Sequence, residues 1–466
     1  MAHTKNTYSG IFRDGGAGPQ AKKRFRKRRE ALMQSENCLM VLTGVPYGPG
    51  GETSWSYAHC PTYQEPAVMY LTGINQFKVI LLLDPTSKES DEILFIGSKD
   101  PTREFWDGVR FGVGDDRSIA EVKKVTGIKD VRNIDTFKEV LQQRLKKQRS
   151  KRLGTFWMEG NVNGSIRNFT NDHNWVFRQK LAGWLRGWGY ATSALKNVMH
   201  NHFDLRLPLD RYDVANTARA QEITGKAFKE TLQNFKKFKT EYQVQGFIEG
   251  QMTMGSPYGL SFPSIIASGP NATVLHYMKN DDAFSKDEMV LLDFGVRWMT
   301  MHADISRTVP ASGKFNPLQK MLYEIVLKAQ REVEKRATEG ETISRLNDLC
   351  WDVVNDGLKN RFEKAGGKYK TVYNERPHGV SHLIGEQEHD GDPFRNYATQ
   401  PMKSGWLISN EPGVYGEFKI RLEGKLYEEA IGIRLEDNLL IQKVGCVNLS
   451  RNIPKSVKEI ERIMAK

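Results

Sequence analysis

The sequence predicts an α+β protein in two parts: a smaller N-terminal α/β domain over residues 1–203 and a C-terminal α+β domain over 204–466. Three observations carry this. The first half alternates short β-rich runs with helical stretches. The second half runs strands, long helices, then strands again, which is the order of an α+β domain with antiparallel sheet. Between them lies the extended, Pro-bearing stretch DLRLPLDRY (204–212). A chain of 466 residues is also too long for one ordinary core and suits two.

Taken in order, CLMVLTG (38–44), AVMYLTG (67–73), FKVILLL (77–83) and EILFIG (92–97) read as strands bounded by Gly, Pro or Asp. DTFKEVLQQRLKKQ (135–148) has helical spacing, with Phe137, Val140, Leu141 and Leu145 on one face. GNVNGSIRNFTNDHN (160–174) reads as a polar loop. The second half opens on a helical block (212–238), followed by Gly/Pro-punctuated strands over 264–309. Helices are expected at 317–337 and 343–362, and strands return from about 405 to 449.

Composition narrows the function classes. Hydrophobic residues make up 39% and charged residues 27%, as in soluble globular proteins. No apolar run approaches membrane-spanning length, so no membrane partner is expected. The start, MAHTKNTYSGIFRDGG, lacks the apolar core of a signal peptide, so a cytoplasmic setting is expected; its Ser/Thr content gives only a weak likeness to a transit peptide. Cys38, Cys60, Cys350 and Cys446 lie far apart with no CxxC, and read as reduced thiols. The net charge of +12 is densest in AKKRFRKRREALMQ (21–34), read as a solvated helix face running into Ala31, Leu32 and Met33. No nucleic-acid-binding signature accompanies it, and no nucleic-acid partner is expected.

The chemistry-bearing residues are acids in apolar company. LLDFGVRWMTMHADISRT (291–308) places Asp293 and Asp304 in two apolar runs, eleven residues apart. That separation allows neighbouring antiparallel strands, on which opposed residues stand about 5 Å apart. Two carboxylates so close repel, and a cation between them removes the conflict. Taken alone, two ordinary turn or edge-strand aspartates explain the stretch better. Two further acids follow: Glu411 in WLISNEPGVY and Glu436 in IGIRLEDNLLI, where Ile433 and Leu435 face one way and Arg434 and Glu436 the other. HGVSHLIGEQEHD (378–390) adds His378, His382 and His389. Gly379 and the missing glutamate of HExxH argue against a zincin helix. One neutral histidine with several carboxylates suits Mn²⁺, Co²⁺, Fe²⁺ or Zn²⁺ better than Ca²⁺.

In order and local context, Asp293, Asp304, His382, Glu411 and Glu436 resemble the five metal ligands of the pita-bread metallopeptidases, the group of methionine aminopeptidase, aminopeptidase P and prolidase. DISRT, HGVSH, EPGVY and GIRLED are similar to the family's motif peptides over roughly 210–466, and PSIIASGPNATVLHY (263–277) resembles the strand bearing a substrate-site histidine, here His276. MYLTG and SKDPTREFWDGVRFG (98–112) resemble the N-terminal domain of the aminopeptidase P and prolidase branch. The resemblance implies a Xaa-Pro aminopeptidase acting on short peptides, with two divalent ions, Mn²⁺ foremost, and a homodimer or homotetramer. It implies that Asp304 and Glu436 bridge the ions, that Asp293 holds one, and that His382 and Glu411 hold the other. Glu411 would move the proton, His276 or His378 would stabilise the oxyanion, and His389 would contact substrate. Arg434 would orient Glu436 or bind a substrate carboxylate.

Some positions depart from the family pattern: Glu388 stands just before His389 where an apolar residue is usual, with Glu386 two residues earlier, and Asn410 precedes Glu411 where Val is commoner. Two other readings remain at this level. One is a prolidase with the same site. The other is a binding protein on the same scaffold, for which the retained ligand set is unfavourable.

Overall fold

The computed structural model describes residues 19–45, 64–107, 109–157, 161–162, 165–166 and 172–465. The N-terminal stretch 1–16 and Cys60 lie outside the described residues. The chain divides into two compact units, one of residues up to 206 with 392–394, the other of 207–391 with 395–466.

The first unit contains α1 (Pro19–Glu36), β1 (Leu39–Thr43), α2 (Pro66–Thr72), β2 (Val79–Leu83), β3 (Glu92–Ile96), α3 (Pro101–Asp107), α4 (Asp116–Thr126), β4 (Asp130–Asn133), α5 (Phe137–Lys147), β5 (Leu153–Thr155), β6 (Asn161–Val162), β7 (Ser165–Ile166), α6 (His173–Gly187), β8 (Leu195–Asn197) and α7 (Met199–Arg206). Six strands form one mixed sheet in the order β4-β3-β2-β1-β5-β8. Its strands β1, β2 and β3 are buried along their whole length, as a sheet covered on two sides requires. Met40, Leu42 and Leu81 pack with Leu32, Val68 and Val122. Their neighbours Leu39, Val41 and Ile80 pack with Phe137, Leu141 and Leu181 on the other side.

Three expectations are corrected here. AVMYLTG is not a strand but the helix α2. Pro66 supplies the preset first position, Gly73 closes it at φ 72° in the left-handed region, and its residues from Ala67 to Thr72 are all buried. A short run buried all round has no periodicity to tell strand from helix. The polar loop at 160–174 contains the paired strands β6 and β7 and, past the undescribed 167–171, the start of α6. The basic face of α1 is not wholly solvated. Arg29 is fully buried, and its Nε and Nη2 donate to Glu92 Oε1 and Oε2 at 2.7 and 3.0 Å.

The second unit contains α8 (Arg211–Asn234), α9 (Glu241–Gly255), β9 (Ile265–Ser268), β10 (Met289–Phe294), β11 (Arg297–Trp298), β12 (Met301–His302), β13 (Ile305–Pro310), α10 (Pro317–Arg336), α11 (Ile343–Gly357), β14 (Lys368–Thr371), β15 (Leu383–Ile384), β16 (Leu407–Asn410), β17 (Gly413–Leu422), β18 (Lys425–Arg434), β19 (Asp437–Ile441), β20 (Cys446–Asn448) and α12 (Val457–Met464). The sheets β13-β10-β9, β14-β17-β18 and β15-β16-β19-β20 are antiparallel throughout. The helices cover one large core with them, in which Leu322, Val326 and Trp351 meet Leu292, Ile408 and Ile433. Asn316 and Pro317 start α10 with a capping box closed by Gln319, which anchors a 20-residue helix over these sheets. Among the described residues, no helix is long and apolar enough to cross a membrane.

Candidate metal centre

Strand pairing brings the two aspartates together, though not as a directly opposed pair. Asp293 on β10 faces Ser306 on β13, and Asp304 lies two residues before Ser306. Side chains two apart along a strand share a face, so Asp304 is the diagonal neighbour of Asp293. The connection between them carries β11 and β12 and is pinched at its base. A Cβ at Gly295 would lie 1.8 Å from Ala303 O, so only glycine fits. Asn438 then clamps the Asp304 backbone from both sides. Its Oδ1 accepts from Asp304 N at 3.1 Å and its Nδ2 donates to Asp304 O at 2.7 Å.

The other ligand candidates arrive at strand ends. Glu411 follows β16, with its N–H bonded to Val380 O at 3.0 Å. Glu436 sits between β18 and β19, with its N–H bonded to Ser306 O at 2.9 Å. His382 precedes β15; its N–H bonds Ser409 Oγ at 2.9 Å. His382 Nε2 lies 3.4 Å from Asp304 Oδ2 and 3.5 Å from Glu411 Oε1. Donor atoms come within 4.8 Å of one another in three overlapping groups: Asp293–Asp304–Glu436, His382–Glu411–Glu436 and Asp304–His382–His389. Asp304, His382 and Glu436 each belong to two of them.

The electrostatics ask for positive charge. Burial raises the Asp304 carboxyl well above its ordinary range, and Asp293, Glu388 and Glu411 raise it further. Glu436 is raised in the same way, by burial first and then by Asp304 and Glu411. Two buried oxygens, Asp293 Oδ1 and Glu436 Oε1, have no hydrogen-bond partner among the described residues. Unpaired buried acceptors are costly, and a cation would satisfy both. The hard, oxygen-rich donor set with one imidazole therefore fits divalent transition-metal ions.

Other predicted residues surround this cluster. Arg434 is buried; its Nη2 donates to Asp293 Oδ2 at 2.6 Å, and its Nε to Ser306 Oγ at 2.9 Å. Ser306 Oγ in turn donates to Glu436 Oε2 at 2.9 Å. Desolvation works against the Arg434 charge, and Asp293, Tyr415 and Glu411 together more than restore it. His378 is held on both sides. Its Nδ1 donates to Gly379 O at 2.9 Å, and its Nε2 accepts from Tyr415 OH at 3.0 Å. Burial lowers its pKa, against the pull of Glu411, so the ring is neutral. His389 is exposed and stacks on His382 with ring centroids 3.9 Å apart. His276 lies not on a strand but on an exposed turn after β9, within electrostatic range of His378 and His389 and outside the gathered donor groups.

The departures also have places. Glu388 is half-buried near the cluster, and its carboxyl is pushed up to about 7 by burial and then by Asp293, with His382 opposing. Glu386 is buried and accepts from Thr300 Oγ1 at 3.3 Å. Asn410 is fully buried, and its Nδ2 donates to Gln330 O at 2.9 Å. Ser306, Ser409, Tyr415 and Asn438 escaped the sequence reading. Each lies within two residues of a candidate in chain or motif, except Tyr415, whose only signal is its place in EPGVY.

This layered antiparallel fold with its gathered acids defines a metallopeptidase of the pita-bread class. The chain belongs to metallopeptidase family M24, whose profile matches residues 215–443, and the aminopeptidase P N-terminal domain profile matches 25–153. It is 27% identical over 460 residues to a Xaa-Pro aminopeptidase of Haemophilus influenzae, covering 95% of this chain and 97% of the relative. It is 26% identical over 453 residues to Xaa-Pro aminopeptidase 3 of Homo sapiens, covering 94% and 83%. The structure of Pseudomonas aeruginosa aminopeptidase PepP shares the fold, with a TM-score of 0.77, 24% identity and 95% and 98% of the two chains covered.

Proposed function

We propose that the chain is a Xaa-Pro aminopeptidase that releases the first residue of a short peptide whose second residue is proline. The carrying observation is the convergence of Asp293, Asp304, His382, Glu411 and Glu436, with two buried carboxylate oxygens left unpaired. Asp293 would hold one divalent ion, His382 and Glu411 a second, and Asp304 and Glu436 both, Mn²⁺ being the first choice and Co²⁺, Zn²⁺ or Fe²⁺ the others. Such ions supply a water acidic enough to ionise near neutral pH and a Lewis acid for the scissile carbonyl.

The remaining steps belong to the protein. Glu411 takes the proton of the attacking water and delivers it to the leaving nitrogen, steered by Ser409 Oγ, which donates to its Oε1 at 3.2 Å. His276 is the oxyanion donor, because its ring makes no hydrogen bond among the described residues, whereas both nitrogens of His378 are engaged. His378, neutral and fixed by Tyr415, borders Glu411, with Nδ1 4.0 Å from Oε2. His389 meets the substrate from its exposed position over His382. The bond to proline carries no N–H, and nothing in this scheme requires one.

The test is metal analysis of the purified protein, followed by chelation and readdition while hydrolysis of Xaa-Pro-Yaa and Xaa-Pro is followed. Cleavage of the tripeptide that chelation stops and Mn²⁺ restores supports the reading. Cleavage of the dipeptide alone would make the protein a prolidase, and no cleavage with any of the four ions would remove the peptidase assignment. The resemblance also carries a homodimer or homotetramer, which light scattering tests; the cytoplasmic setting is a separate expectation, which cell fractionation tests.

A further inference from the structure

Away from the acidic cluster, α10 and the hairpin of β19 and β20 border a pocket of about 530 Å³. Arg331, Lys335, Arg451 and Lys455 line it, with Glu334 and Asn448. Four cations thus share one concavity with a single acid. That acid is already engaged: Glu334 Oε2 accepts from Asn448 Nδ2 at 3.1 Å and lies 3.7 Å from Lys455 Nζ. Arg331 and Arg451 are exposed and form no ion pair or side-chain hydrogen bond among the described residues. A solvated basic helix face would need no concavity and no connection inward.

This pocket has such a connection. Lys455 is half-buried at its edge and donates to Gln330 Oε1 at 3.1 Å and to Asp437 Oδ2. Gln330 is fully buried and donates to Asn410 O at 3.3 Å and Leu435 O at 2.9 Å, the residues just before Glu411 and Glu436. Asp437 Oδ1 accepts from Arg307 Nη2 at 2.8 Å, and Arg307 Nη1 donates to Glu436 O at 2.5 Å. One ammonium group therefore supports the backbone behind two of the gathered carboxylates.

We propose that this pocket is a binding site for a compact phosphate-bearing anion, and that its occupancy reaches the segments carrying Glu411 and Glu436 through Lys455. Guanidinium forks match phosphate oxygens in pairs, and two lie unused here. The volume suits a small molecule. No aromatic side chain lines the pocket, so there is no stacking surface for a nucleic-acid strand. A bound dianion competes with Asp437 and Glu334 for the Lys455 ammonium and loosens or tightens the Gln330 bridge accordingly.

The experiment is calorimetric titration of the full-length, metal-loaded protein with inorganic phosphate at constant ionic strength, beside the double variant Arg331→Ala/Arg451→Ala. Saturable binding that weakens about tenfold or more in the variant is expected, the loss of at least one charge-assisted bond. Circular dichroism and the melting point verify that the variant is folded; both positions are exposed and outside the acidic cluster. Equal affinity in the variant would place the anion elsewhere, and an equal response to chloride would reduce the effect to screening; either result, or no binding, overturns the site. Hydrogen exchange of 407–411 and 434–437, with and without phosphate, tests the connection. A change in the parent protein that is absent in the variant is expected, and no change in either overturns that part. Both readouts are independent of peptide cleavage, so they fail or succeed separately from the peptidase reading.

Discussion

Arg434 donates through Nη2 to Asp293 Oδ2 at 2.6 Å, and the same guanidinium, through Ser306 Oγ, steadies Glu436. One buried cation thus orients the Asp293 carboxylate on β10 and the Glu436 carboxylate between β18 and β19, while leaving Asp293 Oδ1 and Glu436 Oε1 open among the described residues.

Replacing that guanidinium should loosen the cluster. Arg434→Met is expected to weaken divalent-ion affinity by about 10–100-fold, the usual cost of losing a partner that orients a metal ligand. Titration calorimetry with Mn²⁺ measures it. Unchanged affinity would mean the Asp293 contact has no part in shaping the cluster.

Glu411→Gln keeps the shape and removes the proton acceptor. The rate constant for Xaa-Pro-Yaa cleavage should fall by about 10²–10⁴-fold. A variant retaining parental turnover with metal bound would exclude Glu411 from proton transfer.

Arg29→Met should destabilise the N-terminal unit by about 1.5–3 kcal/mol, because it removes two charge-assisted bonds to the buried Glu92 carboxylate and leaves it only Arg26 Nη1 at 2.9 Å. The double variant Arg29→Met/Glu92→Leu should recover much of the loss. Urea denaturation of both decides, and an equally unstable double variant would put the effect down to packing.

His202 gives the first unit an acid sensitivity. It is buried beside Phe156 and Tyr70, and its pKa lies well below the ordinary value because of burial first and then Arg206 and Arg28. The unfolded chain takes up this proton near pH 6.5 and the folded chain does not. The stabilisation is therefore complete above about pH 6.5 and declines as pH falls below it. In His202→Phe the melting temperature should fall less between pH 7 and pH 5 than in the parent. Parallel slopes would show that another group controls the decline.

Local patterning made much of this legible. The alternation of IGIRLED placed Ile433 and Leu435 in the core, where both are fully buried, and the helical spacing at 317–337 became α10, Pro317–Arg336. Pattern failed where periodicity carries no information. The stretch at 66–72 is buried on every side, and Arg29 looks like any surface arginine until Glu92, sixty-three residues away, appears beside it. Asn410 likewise stands as a bare departure from the family pattern until Gln330 supplies its partner inside the core.

By itself, then, the amino-acid order determined the alternation of elements and the motifs that carry the acids and histidines, because strand and helix periodicity and motif spacing are properties of neighbouring residues. Only the tertiary structure decided that Asp304 stands diagonal to Asp293, that Arg434 and Ser306 brace the acids, and that His378 is tied at both nitrogens. Those facts depend on register and on partners far apart in the chain, and a side chain's charge and reach acquire meaning only once its neighbours across the fold are in place.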